Sequence, residues 1–279
     1  AARERFVLEQ ELRHALKEEQ FELHFQPVVD LDRGMTTGAE ALIRWRHPER
    51  GLVSPGAFIP AAEQSGLIND IGRFAIREAC NQVGRWQGQL ASPLKVAVNL
   101  SARQFLDPHL LGLLSESIAD ARIDPSLLEI ELTESAAMAD YDHTRRVFGR
   151  LNDMGLSIAI DDFGTGYASM SYLRKLPFDK LKIDREFVSH IDTSPEIQAI
   201  SNAVIALGKG LGLRVLAEGA ERAEEISYLH RAGCALFQGY YFAKPVEPGQ
   251  MAETISDIEL KLVECNGERA KTEAVALSA

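Results

Sequence analysis

The chain of 279 residues carries 30 Lys and Arg against 41 Asp and Glu, a formal net charge of −11. That length can bury a full-sized core, in one large α/β domain or two smaller ones, and the negative balance argues against a nucleic-acid polymer or an anionic membrane as the main partner. The three cysteines, Cys80, Cys234 and Cys265, show no CxxC spacing and read as reduced thiols of a cytosolic-type domain, while no apolar run approaches the roughly 18 residues of a membrane span.

Leu8, Leu12, Ala15 and Leu16 recur at helical spacing near the start. They predict an amphipathic helix over residues 1–20 that either leads from something upstream or packs on its own domain. Eight short apolar runs follow: "FELHFQPVVDL", "TTGAEALIRW", "LKVAVNLS", "LLEIELTES", "LSIAIDDFG", "FDKLKID", "LRVLAEG" and "ALFQGYYF". From the second run onward each gap is long enough for a helix, so strand and helix units alternate. Eight such units in one domain over 21–265 favour a closed parallel barrel over an open sheet. The first gap, "DRGM", is too short for a parallel crossover and predicts an antiparallel hairpin. The fold expected is therefore a (β/α)8 TIM-like barrel with an antiparallel first strand. The closing stretch 266–279 lacks aromatics and pattern and reads as a mobile tail.

Strand parity then sorts the polar residues. Glu40, Leu42 and Arg44 share one face, opposed by Ala41, Ile43 and Trp45. Asn99, Glu129 with Glu131, and Asp161 each oppose apolar neighbours, as do Lys180, Lys182 and Asp184. Glu218 and Gln238 close their own strands, and Asp162 follows Asp161 on a turn. One polar residue facing inward near each strand's carboxyl end marks the face where such barrels build active sites. Two like charges about 4 Å apart repel by roughly 4 kcal/mol at an effective dielectric near 20, so these acids need protons or cations beside them. An all-oxygen set without a His or Cys cluster suits Mg²⁺ or Mn²⁺, and the adjacent Asp161 and Asp162 can serve two ions. Each residue alone has a plainer reading. Glu40 or Glu131 can be satisfied by Lys182 or Arg44, Glu134 can steady a loop or helix start, and Asn99 can cap a turn. Gly164 and Gly166 fit a tight turn without a dinucleotide fingerprint, and "GKGLG" fits a helix end.

In order along the chain, "GAEALIRW", "FIPAAEQSGLI", "VNLS", "ELTES", "DDFGTGYASMSYL", "LKIDREFV", "LAEGAE" and "QGYYFAKP" resemble the EAL-domain family of cyclic di-GMP phosphodiesterases over roughly residues 20–250. The resemblance implies hydrolysis of cyclic di-GMP to linear pGpG with two Mg²⁺ or Mn²⁺ ions. By motif, Glu40, Asn99, Glu131 and Asp161 correspond to ligands of the first ion and Asp162 serves the second. Glu218 corresponds to a ligand or base near the attacking water, and Lys182 to the cation that positions that water. Arg44 is similar to a phosphate-contacting arginine, Gln26 and Leu42 to substrate contacts, and Gln238 to a partner of a ligand or of metal-bound water. Glu134 matches the glutamate that steadies the "DDFGTG" loop, which leads to the family's dimer contact. The resemblance further implies a homodimer and an upstream GGDEF or sensory domain, in a cytoplasmic segment of a longer protein that has room for a membrane anchor elsewhere. Small departures, Ala220 for a usual valine and "HFQP" for "HYQP", touch no ligand. Two rivals are a barrel that binds cyclic di-GMP without cleaving it and a Mg²⁺ barrel that stabilises an enolate.

Overall fold

The computed structural model describes residues 2–165 and 173–276, without the side chains of residues 2–4 and 265–276. Helix α1 (Ala2–Lys17) leads into β1 (Phe21–Asp30) and β2 (Met35–His47), which pair antiparallel with Gln26 opposite Glu40. A short β3 (Gly51–Val53) folds back on the end of β2. Then come α2 (Ile59–Ser65), α3 (Ile68–Trp86), β4 (Lys95–Leu100), α4 (Ala102–Phe105), α5 (Leu110–Ala121), β5 (Leu128–Thr133), α6 (Glu134–Ala139) and α7 (Tyr141–Asp153). The chain continues through β6 (Ser157–Phe163), β7 (Lys180–Ile183), α8 (Pro195–Leu211), β8 (Arg214–Ala217), α9 (Ala223–Ala232), β9 (Leu236–Phe237) and α10 (Met251–Ala276).

Eight strands close into a barrel. β2, β4, β5, β6, β7, β8 and β9 run parallel, and β1 joins the two ends by pairing antiparallel with both β2 and β9. All eight expected strands are present, with the four-residue hairpin that forces β1 to reverse. β3 was not foreseen, since three residues carry too little alternation to register. β9 is shorter than its apolar run because the chain turns away at Gly239, where a Cβ would stand 2.1 Å from the Ala220 carbonyl oxygen; only glycine admits that approach.

The strands' outward side chains pack with α3, α5, α7 and α8 in the main core, which holds Val96, Val98, Ile130, Ile158, Ile160, Leu181 and Ile183. Inside the barrel, Val28, Leu216 and Leu236 form a separate apolar cluster. Beside it Lys180 donates to Glu129 at 2.5 Å, both buried, and Lys95 donates to Ser157 at 2.5 Å. These groups floor the barrel below the carboxyl ends of the strands.

Helix α1 packs on its own domain. Leu12 and Ala15 are fully buried with Phe21, Trp45 and Phe58, and Gln20 accepts from the Trp45 indole at 3.0 Å. The segment expected as a patternless tail is helical as far as Ala276, an extension of α10; residues 277–279 lie outside the described residues. Among the described residues, no helix is long and apolar enough to cross a membrane.

Candidate active site

The parallel strands deliver their inward side chains to one mouth. Lys182 on β7 has no exposed surface, and its ammonium lies 2.5 Å from Glu218 Oε1, 2.6 Å from Glu131 Oε2, 3.2 Å from Asp161 Oδ2 and 3.7 Å from Glu40 Oε2. Four carboxylates from four strands, or from the residue just past one, thus share a single ammonium. Desolvation alone would depress the Lys182 pKa, yet Asp161, Glu131, Glu218 and Glu40 together carry it well above its ordinary value. Burial pushes the carboxyls of Glu131 and Glu218 well up; Lys182 opposes that shift and the neighbouring acids reinforce it. Glu218 Oε1 is close to Nζ but off the direction of a hydrogen bond, and remains without a hydrogen-bond partner among the described residues.

Glu40 is fixed by two amides. Asn99 Nδ2 donates to Oε1 at 2.5 Å and Gln238 Nε2 to Oε2 at 2.6 Å. Because both amides spend their NH₂ on Glu40, each turns its carbonyl oxygen to other use. Asn99 is exposed at the open mouth, and Gln238 Oε1 is buried with no hydrogen-bond partner among the described residues. Gln238 also reaches Gln26 Oε1 at 3.0 Å, and Gln26 in turn donates to the Ala243 carbonyl at 3.1 Å. An all-oxygen donor set, a surplus of carboxylate over ammonium and an orphaned buried amide oxygen together fit a hard divalent cation.

At the end of β6, Asp162 adopts φ +53° and its amide donates to Asp161 Oδ1 at 2.9 Å. That left-handed conformation, tolerated by Asp better than by most residues, aims two consecutive aspartates from one strand end. Burial, then the charges of Asp161 and Asp184, push the Asp162 carboxyl up to about 6. Asp184, one residue past β7, hydrogen-bonds Asp162 and accepts from the Glu186 amide at 2.7 Å. Sequence reasoning placed Asp184 on the inward face with Lys182 but left it out of the site; that shared parity was the available signal. Glu134 Oε2 accepts from the Gly164 amide at 2.9 Å, so it ties α6 to the turn after the aspartate pair. The expected "DDFGTG" loop contact beyond Thr165 lies outside the described residues.

Above the mouth, the β1–β2 ribbon keeps Leu42 and Arg44 on the face of Glu40, opposite His24 and Glu22. Arg44 is half-buried and donates to the Ile43 carbonyl at 2.9 Å. Glu22, His24 and Glu247 offer ligand atoms within 4.8 Å of one another. Arg46 already bridges that group, donating to Glu22 at 2.6 and 2.7 Å and to Glu247 at 3.1 Å. A guanidinium in place accounts for that acidic cluster without a metal.

The sequence matches the EAL domain family over residues 9–245. It is 43% identical over 244 residues to Signaling protein YkoW of Bacillus subtilis, an alignment covering 88% of this chain and 30% of that protein. It is 39% identical over 252 residues to Cyclic di-GMP phosphodiesterase NbdA of Pseudomonas aeruginosa, covering 90% of this chain and 32% of the relative. A solved structure of PaMucR phosphodiesterase in complex with c-di-GMP superposes with a TM-score of 0.85 at 41% identity, over 88% of this chain and 99% of that one. The chain thus spans about a third of the length of the curated relatives it matches. A barrel closed by a reversed first strand, its mouth ringed by acids that start with Glu40 of "EAL", and a match over most of the chain lead to one conclusion: the chain belongs to the EAL domain family.

Proposed function

We propose that this domain hydrolyses one phosphodiester bond of cyclic di-GMP, releasing linear pGpG, with two Mg²⁺ or Mn²⁺ ions. One observation carries the reading: Glu40, Glu131, Asp161 and Glu218 converge on the single ammonium of Lys182, leaving more carboxylate than one fixed cation can offset. The relatives named for cyclic di-GMP, and the PaMucR complex with it, support the choice of substrate. Glu40, Asn99, Glu131 and Asp161 would hold the first ion and Asp162, with Asp184 against it, the second. When bound, the two ions would lower the pKa of water and offset phosphate charge.

The chain's own groups do the rest. Glu218, at the rim beside Lys182, would orient the attacking water and accept its proton. Lys182, locked among acids, would act as a fixed cation toward the charge that builds on phosphate. Arg44, on the Glu40 face of β2, would hold the second phosphate, while Gln26 and Leu42 on the same ribbon would contact the rest of the dinucleotide. Gln238 would keep Glu40 aimed, and Glu134 would hold the turn that carries the aspartates. The relatives have about two thirds of their length outside the match, which supports placing this domain in a longer signalling protein with an upstream GGDEF or sensory domain. A homodimer and a cytoplasmic setting complete the proposal.

The test is incubation with cyclic di-GMP and either Mg²⁺ or Mn²⁺, with pGpG followed chromatographically and a Glu40→Ala chain run beside it. Release of pGpG that Glu40→Ala abolishes is the expected result. Tight binding with the dinucleotide intact would make the domain a receptor and overturn the hydrolytic reading.

A further inference from the structure

The chain carries a net charge of −11, yet four cations line one groove. The groove, of about 680 Å³, runs between α1 and α3, with Arg13 and Lys17 on one wall, Arg73 and Arg77 on the other, and Leu16 and Phe74 beneath them. Two acids, Asp70 and Glu78, also line it. Glu78 is taken by Arg85 at 2.7 Å, Arg13 by Glu9 at 2.8 Å, and Asp70 lies 3.9 Å from Arg73. Among the described residues, Lys17 and Arg77 make no ion pair. That leaves one uncompensated cation on each wall, a local field that attracts an anion.

Size and lining narrow the class of that anion. The volume falls within the roughly 300–1,000 Å³ of small-molecule sites, more than a lone phosphate fills. Arg73 and Arg77 are one turn apart on α3, with Cβ atoms about 5–6 Å apart, so their guanidiniums can grip successive groups of a phosphate chain. Lys17 faces them as a point charge. The floor is aromatic: Phe74 is half-buried, its ring centroid 6.5 Å from that of Phe21, and it also lines the groove. A flat apolar floor beside cations suits a base joined to phosphates better than it suits phosphate alone.

We propose that the α1–α3 groove binds a nucleoside di- or triphosphate, separately from the barrel mouth. Lys17, Arg73 and Arg77 hold the phosphates, and the base lies on Phe74 and Leu16. Because every base has a face that can stack, the groove selects its ligand by phosphate chain and ring together, not by the edge of the base. A phosphate chain that bridges Lys17 and Arg77 also ties α1 to α3. The proposal is independent of catalysis.

Titration calorimetry of the full chain in EDTA tests it, with ATP, GTP and inorganic tripolyphosphate as separate probes. Both nucleotides are expected to bind, more weakly as salt rises, and about tenfold or more tighter than tripolyphosphate, because stacking adds to the phosphate contacts. Arg73→Gln/Arg77→Gln should raise the ATP dissociation constant about tenfold or more, roughly 1.4 kcal/mol. Phe74→Leu, which keeps the floor apolar but removes the ring, should weaken ATP and leave tripolyphosphate unchanged. Glu40→Ala should bind ATP as the wild-type chain does; each variant is checked for native circular dichroism. No binding of either nucleotide at millimolar concentration, tripolyphosphate binding as tight as ATP, or ATP binding indifferent to the groove variants would each overturn the proposal. Loss of ATP binding in Glu40→Ala would overturn it too, by placing the nucleotide at the mouth.

Discussion

Lys182 is a side chain whose surroundings decide two properties at once. It is fully buried, and among the described residues its ammonium is stabilised by the carboxylates around it. Lys182→Met should destabilise the metal-free chain by about 3–5 kcal/mol, the range for breaking a buried ion pair and leaving charge uncompensated, as read from urea unfolding. Added Mg²⁺ should recover part of that loss, because a divalent ion can stand in for the missing charge, while hydrolysis stays low. Equal stability of the two chains without metal would show the acids to be protonated rather than paired. Gln238 acts one step removed, through its bond to Glu40. Gln238→Ala should weaken divalent-ion affinity by about 10–100-fold, the usual cost of removing a group that orients a ligand. Titration calorimetry with Mn²⁺ reads this directly.

At the scale of elements, the floor and the mouth of the barrel separate stability from activity. Lys180 and Glu129 pair on β7 and β5 one inward step below Lys182 and Glu131. The same charge types in the same strands are thus placed once on the barrel floor, beside Lys95, and once at the mouth. Lys180→Met alone should cost about 3–5 kcal/mol, whereas Lys180→Met/Glu129→Leu should return most of it, since two apolar groups can replace a buried pair at little net cost. Hydrolysis measured below the unfolding range should be unchanged in the double variant. A large loss of activity there would place the floor pair in the site. Much of this was legible in the sequence, because strand parity needs only alternation: Glu40, Asn99, Glu131, Asp161 and Lys182 declare their face one strand at a time. Two things were not legible. The distances around Lys182 depend on how β5, β6 and β8 stagger, and no local pattern encodes that. β3 and the far half of α10 were missed for a different reason. The former is too short to alternate, and "NGERAKTEAVA" holds helix formers such as Ala, Glu and Lys without an apolar stripe.

Across the whole molecule the net charge of −11 and the local surplus of carboxylate at the mouth act in the same direction. Both disfavour the compact state when no cation is bound. A divalent ion that binds the native mouth and not the unfolded chain stabilises by mass action, about 2.7 kcal/mol at a concentration one hundred times its dissociation constant. For a domain of this size that corresponds to a rise in Tm of roughly 5 °C. The same rise at matched ionic strength with NaCl would assign it to general screening, so the comparison must be made at equal ionic strength. The site-specific part should vanish in Glu40→Ala and Asp161→Ala, and should survive in Glu22→Gln, whose carboxylate is already held by Arg46. Differential scanning calorimetry of these four chains, with and without EDTA, separates the mouth from the acidic cluster at Glu22, His24 and Glu247. If Glu22→Gln alone abolished the rise, the ion would belong to that outer cluster, and the barrel mouth would have to meet its charge with protons.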